Sequence, residues 1–235
     1  MHMISPIGTI HTPYKEKFAI PRQPNLAPTV TTELHLIGDA NNEACVRELK
    51  QFSHVWLLFL FDKNIDAGWK PTVRPPRLGG NERIGVFASR ATFRPNAIGM
   101  SAVQLLDVQQ KNNQVILKLG NVDLVDGTPI IDIKPYIPYA DSIPDAIGGY
   151  ADAPPTAVTV VFSKLAESVL QAHPEYQYRQ QALIEILAQD PRPAYKKNKP
   201  DSKVYTVSLF EWDVQFSAKD NSITVLNIAP LAQSN

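Results

Sequence analysis

The chain has 235 residues, 44% apolar and 20% charged, with a formal net charge of zero and 20 prolines. That balance is ordinary for a soluble globular protein and argues against a general nucleic-acid coat, while the prolines argue for short strands and ordered loops over a helical bundle. Cys45 is the single cysteine, which excludes an internal disulfide and makes a reducing, cytoplasmic setting the expectation. The opening M-H-M-I-S-P-I-G-T-I has neither a basic region nor a long apolar run, so no secretory leader is expected. The longest apolar run, residues 55–61, is too short to cross a bilayer, and no membrane partner is expected.

In chain order, Ile4 to Tyr14 alternates β-branched and polar residues and reads as an opening strand. A proline-rich loop holding Pro21, Arg22 and Gln23 follows, and Thr29 to Ile37 alternates again as a second strand. Residues 38–42 form a turn that supplies an N-cap for a short helix over Glu43 to Phe52. Ser53 to Phe61 is continuously apolar and reads as a strand covered on both faces. Strands are then expected over Ala97 to Val108, Gln114 to Gly120 and Pro129 to Ile137, the first two joined by a hairpin at residues 111–113. An extended surface run leads to a boundary near Pro154-Pro155. Beyond it come a strand (157–162) and a helix capped by Ser163 with Leu165, Val169 and Leu170 on one face. A second helix ends at Asp190-Pro191, and a three-stranded meander runs from Tyr205 to Ile228. The expected architecture is mainly β: a β-domain over residues 1–153 and a small α+β domain over 156–235.

One stretch breaks the even charge. Trp69 to Ser101 carries six cations (Lys70, Arg74, Arg77, Arg83, Arg90, Arg94) against one acid, Glu82. Pro71, Pro75, Pro76 and Pro95 stiffen it, and Gly79, Gly80, Gly85 and Gly99 permit conformations closed to other residues. A stiff loop bearing guanidinium forks suits phosphates or a carboxylate, although a solvated basic loop would have the same composition. A second basic, proline-locked segment spans 190–203 and includes Arg192, Lys196 and Lys197. The P-loop, G-x-S-x-G, H-E-x-x-H and paired C-x-x-C patterns are missing, as is the glycine fingerprint of a Rossmann-type nucleotide site. The five histidines do not cluster in sequence, and no metal is expected.

The ordered motifs P-I-G-T-I-H-T-P-Y, P-R-Q, F-S-H-V-W-L-L-F, R-P-P-R-L-G-G, G-V-F-A-S-R, F-R-P-N-A-I-G-M-S, D-L-V-D-G-T-P and D-I-K-P-Y resemble the TsaA-like family. These are S-adenosylmethionine-dependent tRNA methyltransferases acting on N6 of threonylcarbamoyladenosine beside the anticodon. D-P-R-P-A-Y at 190–195 resembles the C-terminal part of the bacterial two-domain members. The resemblance implies a β-barrel instead of a Rossmann sheet, a homodimer, and the anticodon stem-loop of threonine tRNA as partner. It places the cofactor at Pro21, Arg22, Gln23, Asp62, Lys63, Arg90, Met100 and the run Asp123, Leu124, Val125, Asp126. Family members commonly carry His where this chain has Asp62, so that contact is expected to be made by backbone or to differ.

The chemistry of these residues suits that ligand. A cation, Arg90 or Arg22, would meet the α-carboxylate, and Asp123 the ribose hydroxyls. Met100 and Leu124 could line an apolar slot for adenine. The urea-like N6 is a poor nucleophile that must lose a proton, with Asp126 the first candidate base and Tyr136 the second. Arg74, Arg77, Arg83, Arg94, Arg192, Lys196 and Lys197 are the candidate phosphate contacts. Two alternatives stay open: a non-catalytic RNA-binding barrel, and a methyltransferase for another small substrate or a protein on the same fold.

Overall fold

The computed structural model describes residues 3–193, 196–197 and 201–231. Ala194 and Tyr195, the end of the D-P-R-P-A-Y motif, lie outside the described residues. Eight strands come first: β1 (Gly8–His11), β2 (Thr32–Leu36), β3 (His54–Leu60), β4 (Thr72–Val73), β5 (Ile84–Gly85), β6 (Ile98–Lys111), β7 (Gln114–Leu119) and β8 (Pro129–Pro135). Six of them pair antiparallel in the order β1-β2-β7-β6-β3-β8, and β8 returns to β1 to make a barrel. Strands β4 and β5 form a separate small hairpin inside the basic loop. The 14-residue β6 serves two neighbours, β3 through residues 98–104 and β7 through 105–111. A bulge between Leu105 and Asp107 lets it turn from one to the other.

Alternation fills the barrel. Val55, Leu57 and Phe59 of β3 point inward with Ile10, Leu34, Val103, Leu117 and Ile130 from the other strands. Gly99 on β6 is required by close approach, because a Cβ there would overlap the Phe59 ring; its φ is not left-handed, unlike those of Gly79 and Gly80. The expectation that β3 is covered on both faces holds only in part. Its outer residues Trp56, Leu58 and Leu60 are half-buried, since a barrel has one interior. Trp56 is covered by Tyr136 and donates its indole N–H to Asp141 in the helical turn α1 (Pro138–Asp141) at 3.0 Å.

The helix expected over 43–52 is replaced by two short 3-10 turns, Glu43–Val46 and Leu49–Gln51. Glu48 between them takes φ of 63°, a left-handed conformation no α-helix tolerates. Asn42 does cap the first turn, its side chain accepting from the Ala44 N–H at 2.9 Å. Asn112 and Asn113 join β6 to β7 with φ of 51° and 61°, the paired positive angles of a tight hairpin.

The remaining elements are β9 (Thr159–Phe162), α2 (Lys164–Gln171), α3 (Tyr176–Leu187), β10 (Tyr205–Leu209), β11 (Trp212–Lys219) and β12 (Ser222–Pro230). They form a sheet in the order β10-β11-β12-β9, with β9 parallel to β12 and the helices packed on it. The Ser163 hydroxyl caps α2 by accepting from the Ala166 N–H at 3.1 Å. Leu165 is exposed and does not join the apolar face; Ala166 and Leu170 point inward. Tyr14, Ala19, Ala27 and Val30, from the segment between β1 and β2, belong to this second core and not to the barrel's.

Candidate cofactor and RNA site

Because barrel neighbours run antiparallel, β1, β3 and β7 all end at one rim, where β2, β6 and β8 begin. Three connections therefore leave from that rim: residues 12–31, 61–97 and 120–128. They carry every residue assigned to the cofactor except Met100, which stands near the start of β6. Tyr136 is the outlier. It follows the last residue of β8 while Asp126 precedes the first, so at ~3.3 Å per residue the seven-residue strand separates them by roughly 23 Å. Within one chain Tyr136 does not share a site with Asp126, and it packs instead against Trp56 and His54.

At the rim the contacts are specific. Ser101 Oγ donates to Asp123 Oδ1 at 2.7 Å. Burial pushes the Asp123 carboxyl up from its ordinary range, against the opposing pull of Ser101, the residue's own N–H and the Arg90 guanidinium. A carboxyl raised in the folded state contributes stability in full below the ordinary carboxylate range and loses it as pH rises through the raised value. Once ionised, Asp123 is a carboxylate short of donors, a deficit that two ribose hydroxyls would relieve. Arg90 also donates to Gln23 Oε1, joining the first loop to the second. Asp126 accepts the Thr12 N–H at 2.9 Å on one oxygen and the Lys15 ammonium at 2.8 Å on the other. Its backbone carbonyl receives Lys63 Nζ at 3.4 Å, and the Lys63 carbonyl receives Lys17 Nζ at 2.9 Å. Gly127, with φ of 82°, turns the chain from Asp126 into β8.

Arg22 and Arg90 part company here. Arg90 acts electrostatically on Asp123, whereas Arg22 feels Arg77 and Asp190. Burial, then repulsion from Arg77, lowers the Arg22 guanidinium below its ordinary value. Met100 is exposed on the outer face of β6, while Leu124 is buried in the barrel core. Period-two alternation sends Met100 outward and Ser101 inward, so the two apolar side chains do not form one slot. Val125 is likewise buried, and Asp62 is exposed at the start of a 3-10 turn.

The candidate phosphate contacts divide in two. Arg74, Arg77 and Arg83 are exposed, with single donations from Arg77 to the Ala153 carbonyl and from Arg83 to Thr72 Oγ1 at 3.2 Å. Arg94 is a staple, donating to the Val86 and Ser89 carbonyls at 3.3 and 2.7 Å and lying over Phe87. Arg192 is not available to RNA: its guanidinium is 5% exposed and binds Asp190 through Nε at 2.9 Å and Nη2 at 3.0 Å. Lys196 approaches Asp201 at 3.8 Å. Lys197 approaches Asp190 at 3.9 Å, and burial lowers its ammonium below the ordinary value. Arg22 nevertheless links the two basic stretches, since it feels the charge of Arg77 in the first and of Asp190 and Lys197 in the second.

Sequence reasoning missed three contributors. Ser101 was visible as the last letter of F-R-P-N-A-I-G-M-S, but only the fold turns it toward Asp123. Lys15 gave no signal. Trp69, half-exposed beside the basic hairpin, lines with Ile65, Phe93, Arg94 and Asn96 a cavity of about 240 Å³ next to the Asp62 turn. Lys70 Nζ lies over the Phe93 ring, 5.3 Å from its centre. Among the described residues no group of three or more His, Cys, Asp or Glu could hold a metal, and no helix is long and apolar enough to cross a membrane.

A tRNA-methyltransferase O N-terminal domain matches residues 9–142, and the corresponding C-terminal domain matches 155–231. The chain belongs to the tRNA-methyltransferase O family. Within it, the tRNA (adenine(37)-N6)-methyltransferase of Escherichia coli is 52% identical over 227 residues, covering 95% of this chain and 96% of that protein. A putative S-adenosylmethionine-dependent methyltransferase RcsF of Pseudomonas aeruginosa is 47% identical over 233 residues, covering 97% and 98%. A TrmO crystal structure superposes with a TM-score of 0.79 at 39% identity, covering 97% of this chain and 99% of its own. The barrel expected from the motifs is the fold this family shares.

Proposed function

We propose that this chain methylates N6 of adenosine 37 in tRNA with S-adenosylmethionine, at the rim where its three loops meet. The carrying observation is Arg90, which joins Gln23 of one loop to the neighbourhood of Asp123 in another, beside the buried Ser101–Asp123 pair. The residues present fit the cofactor: a guanidinium for its carboxylate and a donor-poor carboxylate for its ribose. When bound, S-adenosylmethionine supplies a methyl group already activated on a sulfonium. The chain's part is to hold the acceptor nitrogen in line and to take its proton; alignment alone can lower a barrier by up to ~7–11 kcal/mol in favourable cases. Asp126 takes that proton. Two of its roughly four lone-pair positions are filled by Thr12 and Lys15, and the partly exposed remainder faces the rim.

Replacing Arg90 by alanine removes one charge-assisted partner of the ligand carboxylate, worth about 1.5–3 kcal/mol. Calorimetry should show S-adenosylmethionine affinity falling by roughly one to two orders of magnitude. Wild-type binding by Arg90→Ala would move the cofactor elsewhere. The same experiment on the wild type separates this reading from a non-catalytic RNA-binding barrel, which would give no heat.

The finer substrate we assign is threonylcarbamoyladenosine in the anticodon loop of threonine tRNA, in the cytoplasm. Unpaired loop bases splay out at little expense and are held by stacking and phosphate contacts. Arg74, Arg77, Arg83 and Lys197 supply the cations, and the half-exposed Trp69 an aromatic face. Trp69→Ala is expected to cost about 1–3 kcal/mol of tRNA affinity, and Arg74→Ala or Arg77→Ala to flatten the salt dependence by ~0.7 each. Cofactor affinity should stay unchanged in all three. Unchanged slopes would place the RNA on another face.

A homodimer is the expected assembly. The run after β8 leaves Tyr139, Ile143 and Ile147 between 71% and 93% exposed, more apolar surface than a lone barrel normally leaves wet. Sedimentation at micromolar concentration should show the dimer, and a fully active monomer would contradict it.

A further inference from the structure

The segment between β1 and β2 carries Pro21, Arg22 and Gln23, yet its side chains belong to the second core. Both of its ends are tied to the α+β unit. At the first end Tyr14 bridges Leu209, the Lys15 N–H donates to the Ser208 carbonyl at 3.3 Å, and Glu16 Oε1 accepts the Ser208 N–H at 2.8 Å. At the other end Glu185 on α3 grips Thr29 with both oxygens: Oε2 accepts the Thr29 N–H at 2.8 Å and Oε1 accepts its hydroxyl at 2.7 Å. Gln181, one turn earlier on α3, donates to Glu185 Oε1 at 2.9 Å and fixes the carboxylate. Between the two ties, Ala19 and Asn25 both take φ of 64° on either side of Pro21–Gln23. An alanine adopts that conformation only when its surroundings hold it.

We infer that the second unit holds the cofactor loop in its binding shape, with Glu185 as a positioning residue that acts through Thr29. The line of contacts runs from Glu185 to Thr29, along the loop to Gln23, and from Gln23 to Arg90, whose charge acts on Asp123. The inference rests on the cofactor reading above and adds a role for α3, which lies outside the barrel and carries none of the assigned cofactor residues.

Glu185→Gln tests it. The amide keeps one acceptor for the Thr29 N–H. Its NH2 replaces the oxygen that accepted from Gln181 and from the Thr29 hydroxyl, so it meets the Gln181 amide donor and the hydroxyl must turn round to accept. Hydrogen exchange in the cofactor-free protein should quicken across residues 16–30, and calorimetry should show S-adenosylmethionine binding weakened about tenfold, with tRNA affinity unchanged. Thr29→Val should reproduce both effects in weaker form, and Thr29→Ser, which keeps the hydroxyl, should behave as wild type. Wild-type cofactor affinity in Glu185→Gln would overturn the inference while leaving the cofactor reading intact. So would unchanged exchange, or equal loss of cofactor and tRNA binding, which is the signature of general destabilisation. Absence of cofactor binding in the wild type would overturn the cofactor reading and this inference with it.

Discussion

Asp126→Asn is expected to lower kcat by about 10²–10⁴-fold, the usual contribution of a positioned base, with S-adenosylmethionine affinity close to that of the wild type. The substitution is conservative in shape. An amide oxygen still accepts the Thr12 N–H, so the loop keeps its tie to the end of β1. What disappears is the negative charge able to take a proton from N6, together with the ion pair to Lys15. That pair is partly exposed, 36% on the lysine side and 28% on the aspartate side, so its loss should cost at most about 1 kcal/mol of stability. Single-turnover methyl transfer separates this chemical effect from binding. A rate within about threefold of wild type, well below what a positioned base contributes, would show that another group takes the proton.

Arg192→Ala is expected to destabilise the fold by about 3–5 kcal/mol and to leave the salt dependence of tRNA binding unaltered. Both members of the Asp190–Arg192 pair are nearly sealed from water, at 6% and 5% exposure, and share two hydrogen bonds. Removing the guanidinium strands a buried carboxylate just beyond α3, with Lys197 at 3.9 Å its remaining partner within salt-bridge reach among the described residues. Denaturant unfolding measures the loss. Near-wild-type stability with a flattened salt slope would instead make Arg192 a phosphate contact.

That residue shows where sequence reading fails. D-P-R in a lysine-rich segment looks like a basic patch, but Asp190 takes φ of 47° and folds the chain so that the arginine two positions on bonds to it. Spacing of two carries no such message in a helix, which the run before Asp190 leads one to expect. Tyr136 and Asp126 part within one chain for a topological reason: D-I-K-P-Y follows D-L-V-D-G-T-P closely in sequence, yet one barrel strand places them at opposite ends. The helix foreseen over 43–52 failed because its N-cap signal reports only the first turn, while Glu48 takes a left-handed φ of 63° that breaks the run in two.

Other features were legible because local chemistry and topology agree. The alternation from Ile98 to Val108, the asparagine pair of the hairpin and the Ser163 cap all express requirements of a few neighbouring residues. The motifs carrying Pro21–Gln23, Asp62–Lys63, Arg90 and Asp123–Asp126 could be read as a set, and antiparallel order around the barrel brings them to one rim. Their roles within it depend on side-chain direction. That is why Arg22 and Arg90 looked equivalent in sequence and stand apart in the fold.

The central claim is methyl transfer from S-adenosylmethionine to N6 of adenosine 37 at this rim. Its most direct test incubates the purified protein with S-adenosylmethionine and threonine tRNA bearing threonylcarbamoyladenosine, then digests the tRNA and weighs its nucleosides by mass spectrometry. The account predicts that the modified adenosine gains one methyl group on N6 with wild-type protein, and gains it far more slowly with Arg90→Ala and Asp126→Asn. An unchanged nucleoside with wild-type protein that binds both ligands, or a methyl group found on another nucleotide, would contradict it.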